Sequence, residues 1–125
     1  MKVLLAIKPQ YIEKIFSKEK KFEYRKNIFK NKKVDTIIIY STAPVKKIVG
    51  EFKIKRIIKD SPCNLWELAP KNTGITKEKF YKYFENKKEG YAIEIGDIKK
   101  YKKYKELKDF SLKTAPQSFI YIPWK

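Results

Sequence analysis

The chain has 125 residues, of which 42% are hydrophobic and 15% aromatic, enough apolar material for one folded domain. Its 31 lysine and arginine residues against 14 aspartate and glutamate residues give a formal net charge of +17, which attracts polyanions. Because the chain has no histidine, Ser-His-Asp catalysis, Cys-His catalysis and histidine-ligated metal sites are excluded.

The cysteine content and the amino-terminal sequence indicate the cellular compartment of the protein. The single cysteine, Cys63, cannot form an intramolecular disulfide, which suits a reducing compartment. The apolar run from Met1 to Ile7 is far shorter than a signal peptide or a membrane span. We therefore expect a cytoplasmic protein without a membrane partner, folded as a single domain over residues 1–125.

The chain opens with a predicted strand and helix. Residues 3–7 are a short apolar run with β-branched ends, which predicts a buried strand. Pro9 suits the first turn of a helix, and the apolar residues after it recur at helical spacing as far as about Ser17. A polar turn then leads to the next element.

A second strand carries the most informative charges. Phe22 and Tyr24 alternate with charged residues, which is typical of a half-buried strand. Its polar face would present Lys21, Glu23 and Arg25 together. Such a group of charges is either a binding site or an ion pair on the wall of the fold.

Two longer strands follow. Residues 34–40 include an isoleucine run that is apolar on both faces, which predicts a central strand ending before Pro44. Residues 46–58 alternate well and predict a long strand, with Gly50 at a bend or bulge.

The second half of the chain predicts two short helices and two strands. Ser61 and Thr76 are at N-cap positions of the two helices. The predicted strands cover residues 91–95, with Ile98 as a possible extension, and residues 118–122. Many strands with few crossover helices favour an α+β fold, with a mixed β-barrel and short helices at its openings.

One segment resembles a known family. Residues 17–25 read SKEKKFEYR and resemble the Gly-x-Lys-x-x-Glu-x-Arg signature of ASCH domains. On that match Lys20, Glu23 and Arg25 take the family's Lys, Glu and Arg positions, while Lys18 stands where the family has glycine. Softer matches follow in the family's order at residues 39–44, 48–52, 90–93 and 115–119.

The resemblance implies a fold and a role. ASCH domains belong to the PUA-like superfamily of small barrels that have a cleft beside the first helix. The chain is therefore expected to be a PUA-like mixed β-barrel with flanking short helices. The resemblance further implies an RNA-related role for the cleft, and no metal or organic cofactor.

The first functional hypothesis is a module that binds RNA or another single-stranded nucleic acid. Lys20, Lys21 and Arg25 would bind phosphate, Arg25 through its bidentate fork. Glu23 would orient Arg25 or accept hydrogen bonds from a base edge. Tyr40 is a candidate for base stacking, as are Tyr24 and Tyr91, although all three fall on apolar strand faces, which favours core packing. Further candidates for lining the cleft, or for ordinary turn contacts, are Ser41, Thr42, Gln117 and Ser118.

The second hypothesis is a small metal-independent hydrolase, in which Lys20 and Glu23 would be catalytic. Some ASCH relatives resemble amidohydrolases of acetylcytidine that use a lysine, a threonine and a carboxylate. Glu23 stands at the threonine position and Thr73 near the carboxylate position, which argues against that activity. A ribonuclease, in which the 2′-hydroxyl of RNA attacks, needs only a base and charge stabilisation. A third hypothesis is that the basic surface binds a protein or ribosomal partner.

Overall fold

The computed structural model describes residues 1–71 and 73–124, which form a mixed six-stranded sheet with three short α-helices. The α-helices are α1 (Pro9–Phe16), α2 (Pro62–Glu67) and α3 (Lys77–Tyr83), and a 3-10 turn covers Leu107–Phe110. The strands are β1 (Lys2–Ile7), β2 (Phe22–Arg25), β3 (Thr36–Ser41), β4 (Lys47–Asp60), β5 (Gly90–Lys105) and β6 (Phe119–Ile122). The α+β class and the predicted order of elements agree with this structure.

The sheet has the strand order β2-β5-β4-β3-β1-β6. β1 pairs with β3 in parallel, and the other ladders are antiparallel. A parallel pair needs a crossover connection, which α1 and β2 supply. In the part of the chain that the structure describes, the edge strands β2 and β6 share no ladder, so closure into the predicted barrel is not confirmed. Instead, the Arg25 side chain reaches across to the Ser118 carbonyl.

The central strand β3 is buried on both faces, as its sequence predicts. Ile37 and Ile39 pack in one core cluster together with Ile15 of α1. Ile38 and Tyr40 point to the opposite face and pack in a second core cluster. Successive side chains of a strand alternate between faces, so a strand covered on both sides needs an unbroken apolar run.

A third core cluster joins the later helices to β2. Phe22 and Tyr24 from β2 pack with Leu65 from α2 and with Phe80 from α3. The Tyr24 and Phe80 rings meet edge to face, with centroids 4.9 Å apart. This contact places α3 beside β2 and forms one side of the site described below.

Both helices of this cluster start where their capping residues predict. The Ser61 hydroxyl accepts a hydrogen bond from the backbone N–H of Asn64, and the Thr76 hydroxyl accepts one from that of Lys79. Within residues 1–71 and 73–124, no helix is long and apolar enough to cross a membrane.

β4 contains a bulge next to Gly50, as predicted. Ile39 of β3 pairs with Gly50 whereas Tyr40 pairs with Ile48, so one residue of β4 is left over. A Cβ atom on Gly50 would lie 2.6 Å from the carbonyl oxygen of Lys99 on β5. The close approach of the two backbones explains why glycine is needed there.

β5 continues further than predicted, to Lys105. The prediction ended near Ile98 because the lysine-rich residues that follow lack a regular apolar alternation. Their backbone nevertheless pairs with β4, while β2 pairs only with residues 91–94 of β5. The second half of β5 is therefore an exposed edge, and its lysines disfavour pairing with another chain.

Candidate functional site

A cleft of about 480 Å³ lies where α1, β2 and α3 meet. Lys8 and Tyr11 line it from the start of α1, and Lys82 lines it from α3. β2 contributes Glu23 and Arg25 to its wall. The cleft is within the size range of pockets that bind small ligands.

The turn after α1 brings Lys20 to the cleft. α1 ends at Phe16, and Lys18 then adopts a left-handed conformation with φ of 68°. This position past a helix end usually holds glycine, which is the residue expected there in the ASCH signature. The backbone N–H of Lys20 donates to the carbonyl of Lys14, which fixes the turn against the helix.

Lys20, Glu23 and Arg25 form a connected group of charges. The Lys20 Nζ atom is 3.4 Å from Glu23 Oε1, and the Arg25 Nη1 atom is 3.6 Å from Glu23 Oε2. Lys20 is 3% exposed and Glu23 is 6% exposed, so the ion pair between them is buried. β2 is therefore not half-buried as its alternation suggests, because Glu23 is covered as well as Phe22 and Tyr24.

Burial changes the acid–base behaviour of Lys20. Loss of hydration lowers the pKa of its ammonium group, and the carboxylate of Glu23 partly opposes that effect. The Nζ atom also donates a hydrogen bond to the Phe22 carbonyl and lies 4.9 Å from the centroid of the Tyr24 ring. A lysine held this way reaches its neutral form more easily than an exposed one.

A loop far along the chain completes the burial of Lys20. Gly74, in the connection between α2 and α3, adopts a left-handed conformation with φ of 68°. A Cβ atom at Gly74 would lie 2.7 Å from the Cβ atom of Lys20, so only glycine fits against this side chain. Sequence reasoning missed Gly74, because nothing local indicates which residue the loop covers.

Tyr24 brings an unsatisfied group to the cleft. Its side chain is 7% exposed and lines the cavity. Within the described residues its hydroxyl has no hydrogen-bond partner. Burial raises the pKa of the phenol, and the Glu23 carboxylate adds to the shift. Buried polar groups normally find a partner, so a ligand or a water molecule in the cleft would satisfy this hydroxyl.

Arg25 ties the cleft to the last strand. Its Nη2 atom donates to the carbonyl oxygen of Ser118 at 3.1 Å, just before β6 begins. The Ser118 side chain and that of Gln117 are exposed in this loop, outside the cleft lining. The predicted contribution of Ser118 is thus a backbone contact to Arg25 in this structure.

The remaining predicted residues lie elsewhere. Tyr40 is 5% exposed and packs in the second core cluster, so its ring has no open face for a base. Ser41 is 2% exposed at the end of β3 and does not line the cleft. Lys21 is exposed and lines a separate groove with Lys53 and Lys55. The predicted strand included Tyr40 and ended one residue before Ser41, and the burial of β3 on both faces leaves neither side chain open to a ligand.

Sequence reasoning also missed the contribution of α3. Lys79, Lys82 and Tyr83 line the cleft. Their spacing of three and four residues puts them on one side of a helix, which was the available signal. Within residues 1–71 and 73–124, no three histidine, cysteine or acidic side chains converge in a way that could hold a metal ion.

The fold and the charged turn define a class of protein. The structure aligns with the crystal structure of ASCH from Zymomonas mobilis with a TM-score of 0.88 and 21% identity, over 98% of this chain and 88% of that one. This likeness shows that the chain has the ASCH fold. The chain belongs to the family described as Domain of unknown function (DUF365), whose model matches residues 1–115.

Curated relatives include proteins with different names. An ASCH domain-containing ribonuclease of Zymomonas mobilis is 24% identical over 94 residues, which are 75% of this chain and 64% of that protein. An ATP synthase subunit alpha of Ureaplasma parvum is 29% identical over 121 residues, which are 96% of this chain and 15% of that protein. A large ribosomal subunit protein uL22 of the same species is 29% identical over 90 residues, 72% of this chain and 29% of that protein. This chain therefore spans less than two thirds of each relative.

Proposed function

We propose that the cleft between α1, β2 and α3 binds single-stranded RNA. The observation that carries the proposal is the excess of cations around a cavity of nucleotide size. Among the residues that the structure describes, one carboxylate, that of Glu23, lines the cleft. Five basic side chains line it as well: Lys8, Lys20, Arg25, Lys79 and Lys82.

Phosphate and base recognition can be divided among these groups. Lys79 and Lys82 are exposed on α3 and would neutralise phosphates, each contact releasing counterions. Arg25 keeps 15% of its side chain exposed beside Glu23, so its guanidinium is oriented but still accessible. The Tyr83 and Tyr11 rings line the same cavity and offer surfaces for a base. The name of the Zymomonas mobilis ribonuclease supports RNA as the ligand.

The test is RNA affinity measured by fluorescence anisotropy over a salt series. Lys82→Gln should weaken binding of a short single-stranded RNA and reduce the salt slope by about 0.7, the value for one phosphate contact on a single strand. Arg25→Ala should weaken binding by roughly tenfold or more. Lys113→Gln, an exposed lysine outside the cleft, is the matched control and should change neither quantity. Equal small losses from all three variants would contradict the proposal.

A second candidate function is RNA cleavage, and the buried Lys20 favours it. A neutral Lys20, or the Glu23 carboxylate, would accept the proton of a ribose 2′-hydroxyl as its oxygen attacks the adjacent phosphorus. Arg25 would stabilise the negative charge that develops on the phosphoryl oxygens. The bond to the 5′-oxygen then breaks, and that oxygen takes up a proton from water, while the base releases to the solvent the proton that it accepted. The products are a 2′,3′-cyclic phosphate and a 5′-hydroxyl.

Cleavage is tested with an RNA that carries a single 2′-deoxynucleotide at the cleaved position. Cleavage of the all-ribose strand but not of the substituted one is expected, because the nucleophile is missing. Lys20→Met should abolish cleavage, whereas Lys21→Met, a change at the exposed neighbouring lysine, should leave it intact. Cleavage that survives in Lys20→Met would exclude Lys20 as the base. Binding without cleavage in any condition would leave the RNA-binding function alone.

A further inference from the structure

A second cavity of about 530 Å³ lies between the segment that follows β2 and the strand β6. Three aromatic side chains line it, namely Tyr91, Phe119 and Tyr121. The segment after β2 adds Lys26 and Lys30 to its lining.

Two of the aromatic rings of this cavity, those of Phe119 and Tyr121, are held in place by contacts. The Tyr121 hydroxyl accepts hydrogen bonds from the backbone N–H groups of Lys30 and Asn31, at 3.0 and 3.1 Å. The Phe119 ring meets the Tyr121 ring edge to face, with centroids 5.4 Å apart. Tyr91 and Phe119 are partly exposed. Rings that are already ordered and partly exposed lose little entropy when a flat ligand stacks on them.

Cations surround these rings. Lys26, Lys30 and Lys59 line the cavity, together with the carboxylate of Glu89. The Lys59 and Glu89 side chains are 3.8 Å apart and are 56% and 60% exposed. An ion pair so exposed is weak and yields easily to a phosphate. Aromatic rings interspersed with lysines are the combination that binds single-stranded nucleic acids.

The second cavity adjoins the cleft. Arg25 lines the cleft and the next residue, Lys26, lines the second cavity. The Lys26 ammonium lies 4.8 Å from the centroid of the Tyr83 ring, which lines the cleft. The Arg25 guanidinium donates to the carbonyl of Ser118, the residue before Phe119. A single-stranded RNA that leaves the cleft beside Arg25 would therefore come to the rings of the second cavity.

We propose that the second cavity is a base-stacking subsite for the nucleotide next to the one in the cleft. The proposal rests on the proposed function and adds to it that the RNA site spans at least two adjoining positions. Tyr91 and Phe119 would stack on the base, and Lys30 and Lys59 would neutralise the flanking phosphates.

The test is a double-mutant cycle in which an aromatic side chain of the protein and a base of the RNA are removed separately and together. Affinities are measured for a short single-stranded RNA and for versions with one abasic nucleotide at each position in turn, with wild type and Tyr91→Leu. Leucine keeps apolar bulk within β5, and thermal melting checks that the variant folds. For one abasic position, wild type should lose about fivefold or more in affinity. Tyr91→Leu should lose a similar factor on the intact RNA and show no further loss on that abasic RNA.

A charge test supports the ring test independently. The double change Lys30→Gln and Lys59→Gln should reduce the salt slope by about 1.4, the value for two contacts on a single strand. The control double change, Lys102→Gln and Lys103→Gln on the exposed edge of β5, should leave the slope unchanged. The affinity of a mononucleotide for the cleft should be the same in all these variants as in wild type, because none of them changes a residue that lines the cleft.

The outcomes separate the two proposals. If the loss of affinity from Tyr91→Leu multiplies with the loss from every abasic position, the Tyr91 ring does not contact a base. The proposed subsite is then wrong. The subsite is also wrong if the double change at Lys30 and Lys59 and the control double change at Lys102 and Lys103 alter the salt slope equally. If Arg25→Ala and Lys82→Gln leave mononucleotide binding unchanged, the cleft itself is not the RNA site and the proposed function fails.

Discussion

Replacing Glu23 by glutamine removes the carboxylate between two cations while keeping the side chain's shape. The Glu23 oxygens lie 3.4 Å from Lys20 Nζ and 3.6 Å from Arg25 Nη1. At an effective dielectric constant of about 20, charges at the shorter separation attract by about 5 kcal/mol. Removing one partner of a buried pair typically costs about 3–5 kcal/mol. We therefore expect Glu23→Gln to lower the free energy of unfolding by about 3–5 kcal/mol at pH 7, measured by urea denaturation.

The pH dependence identifies the cause of this loss. Burial holds the pKa of Lys20 below 10.5, and without the Glu23 carboxylate that pKa should fall further. Between the folded pKa and 10.5 the unfolded state binds more protons, so stability rises with pH in this window. The part of the Glu23→Gln penalty that comes from Lys20 is complete below the variant's folded pKa. It disappears as pH rises to the wild-type folded pKa, since Lys20 is then neutral in both folded proteins.

Two control variants make the test specific. Glu94 on β5 pairs with Arg56 at 2.5 Å, but Arg56 is 60% exposed, so Glu94→Gln should cost no more than about 1 kcal/mol. Adding Lys20→Met to Glu23→Gln should recover part of the lost stability, because no unpaired charge then remains buried at position 20. A Glu23→Gln penalty as small as that of Glu94→Gln, or one that does not change with pH, would show that the Glu23 carboxylate does not stabilise a buried charge on Lys20.

Three further substitutions test local features of the fold. Lys18→Gly should raise the free energy of unfolding by about 0.5–1 kcal/mol, because relief of the left-handed strain at this residue exceeds the entropy that glycine adds to the unfolded chain. A lower melting temperature for Lys18→Gly would contradict this. Gly50→Ala should lower the free energy of unfolding by about 1–3 kcal/mol, because the new Cβ atom would lie 2.6 Å from the Lys99 carbonyl oxygen. An unchanged urea midpoint would mean that the backbone at the bulge shifts without cost. Tyr101→Phe removes a 2.7 Å hydrogen bond to the Glu51 carboxylate, and should cost about 1.5–3 kcal/mol at pH 7 in the same assay. A Tyr101→Phe protein as stable as wild type would show that water replaces the bond.

Local sequence patterns predicted most of the secondary structure. The N-caps at Ser61 and Thr76, the buried β3 and the bulge at Gly50 each depend on residues close in sequence. The extent of β5 did not follow, since its second half is held by pairing with β4 rather than by its own alternation. Closure of the sheet could not be predicted either, because it depends on how far the two edge strands lie apart in space.

The candidate site was predictable only in part. Alternation along β2 put Glu23 and Arg25 on one face, whereas Lys20 was included only through the resemblance to the ASCH signature. Their burial could not be predicted, because the loop carrying Gly74 covers Lys20 from a distant part of the chain. The lysines of α3 reach the cleft only through tertiary packing of that helix against β2.

The most direct test of the central claim is to map the RNA contact on the protein. Backbone amide chemical shifts would be recorded by NMR during titration with a short single-stranded RNA at moderate salt. If RNA binds in the cleft, the largest changes should fall in the first turn of α1, in β2 and in α3, and Lys82→Gln should weaken them. Changes spread along the lysines at residues 99–103, with the cleft unaffected, would contradict it and indicate diffuse attraction to a basic surface.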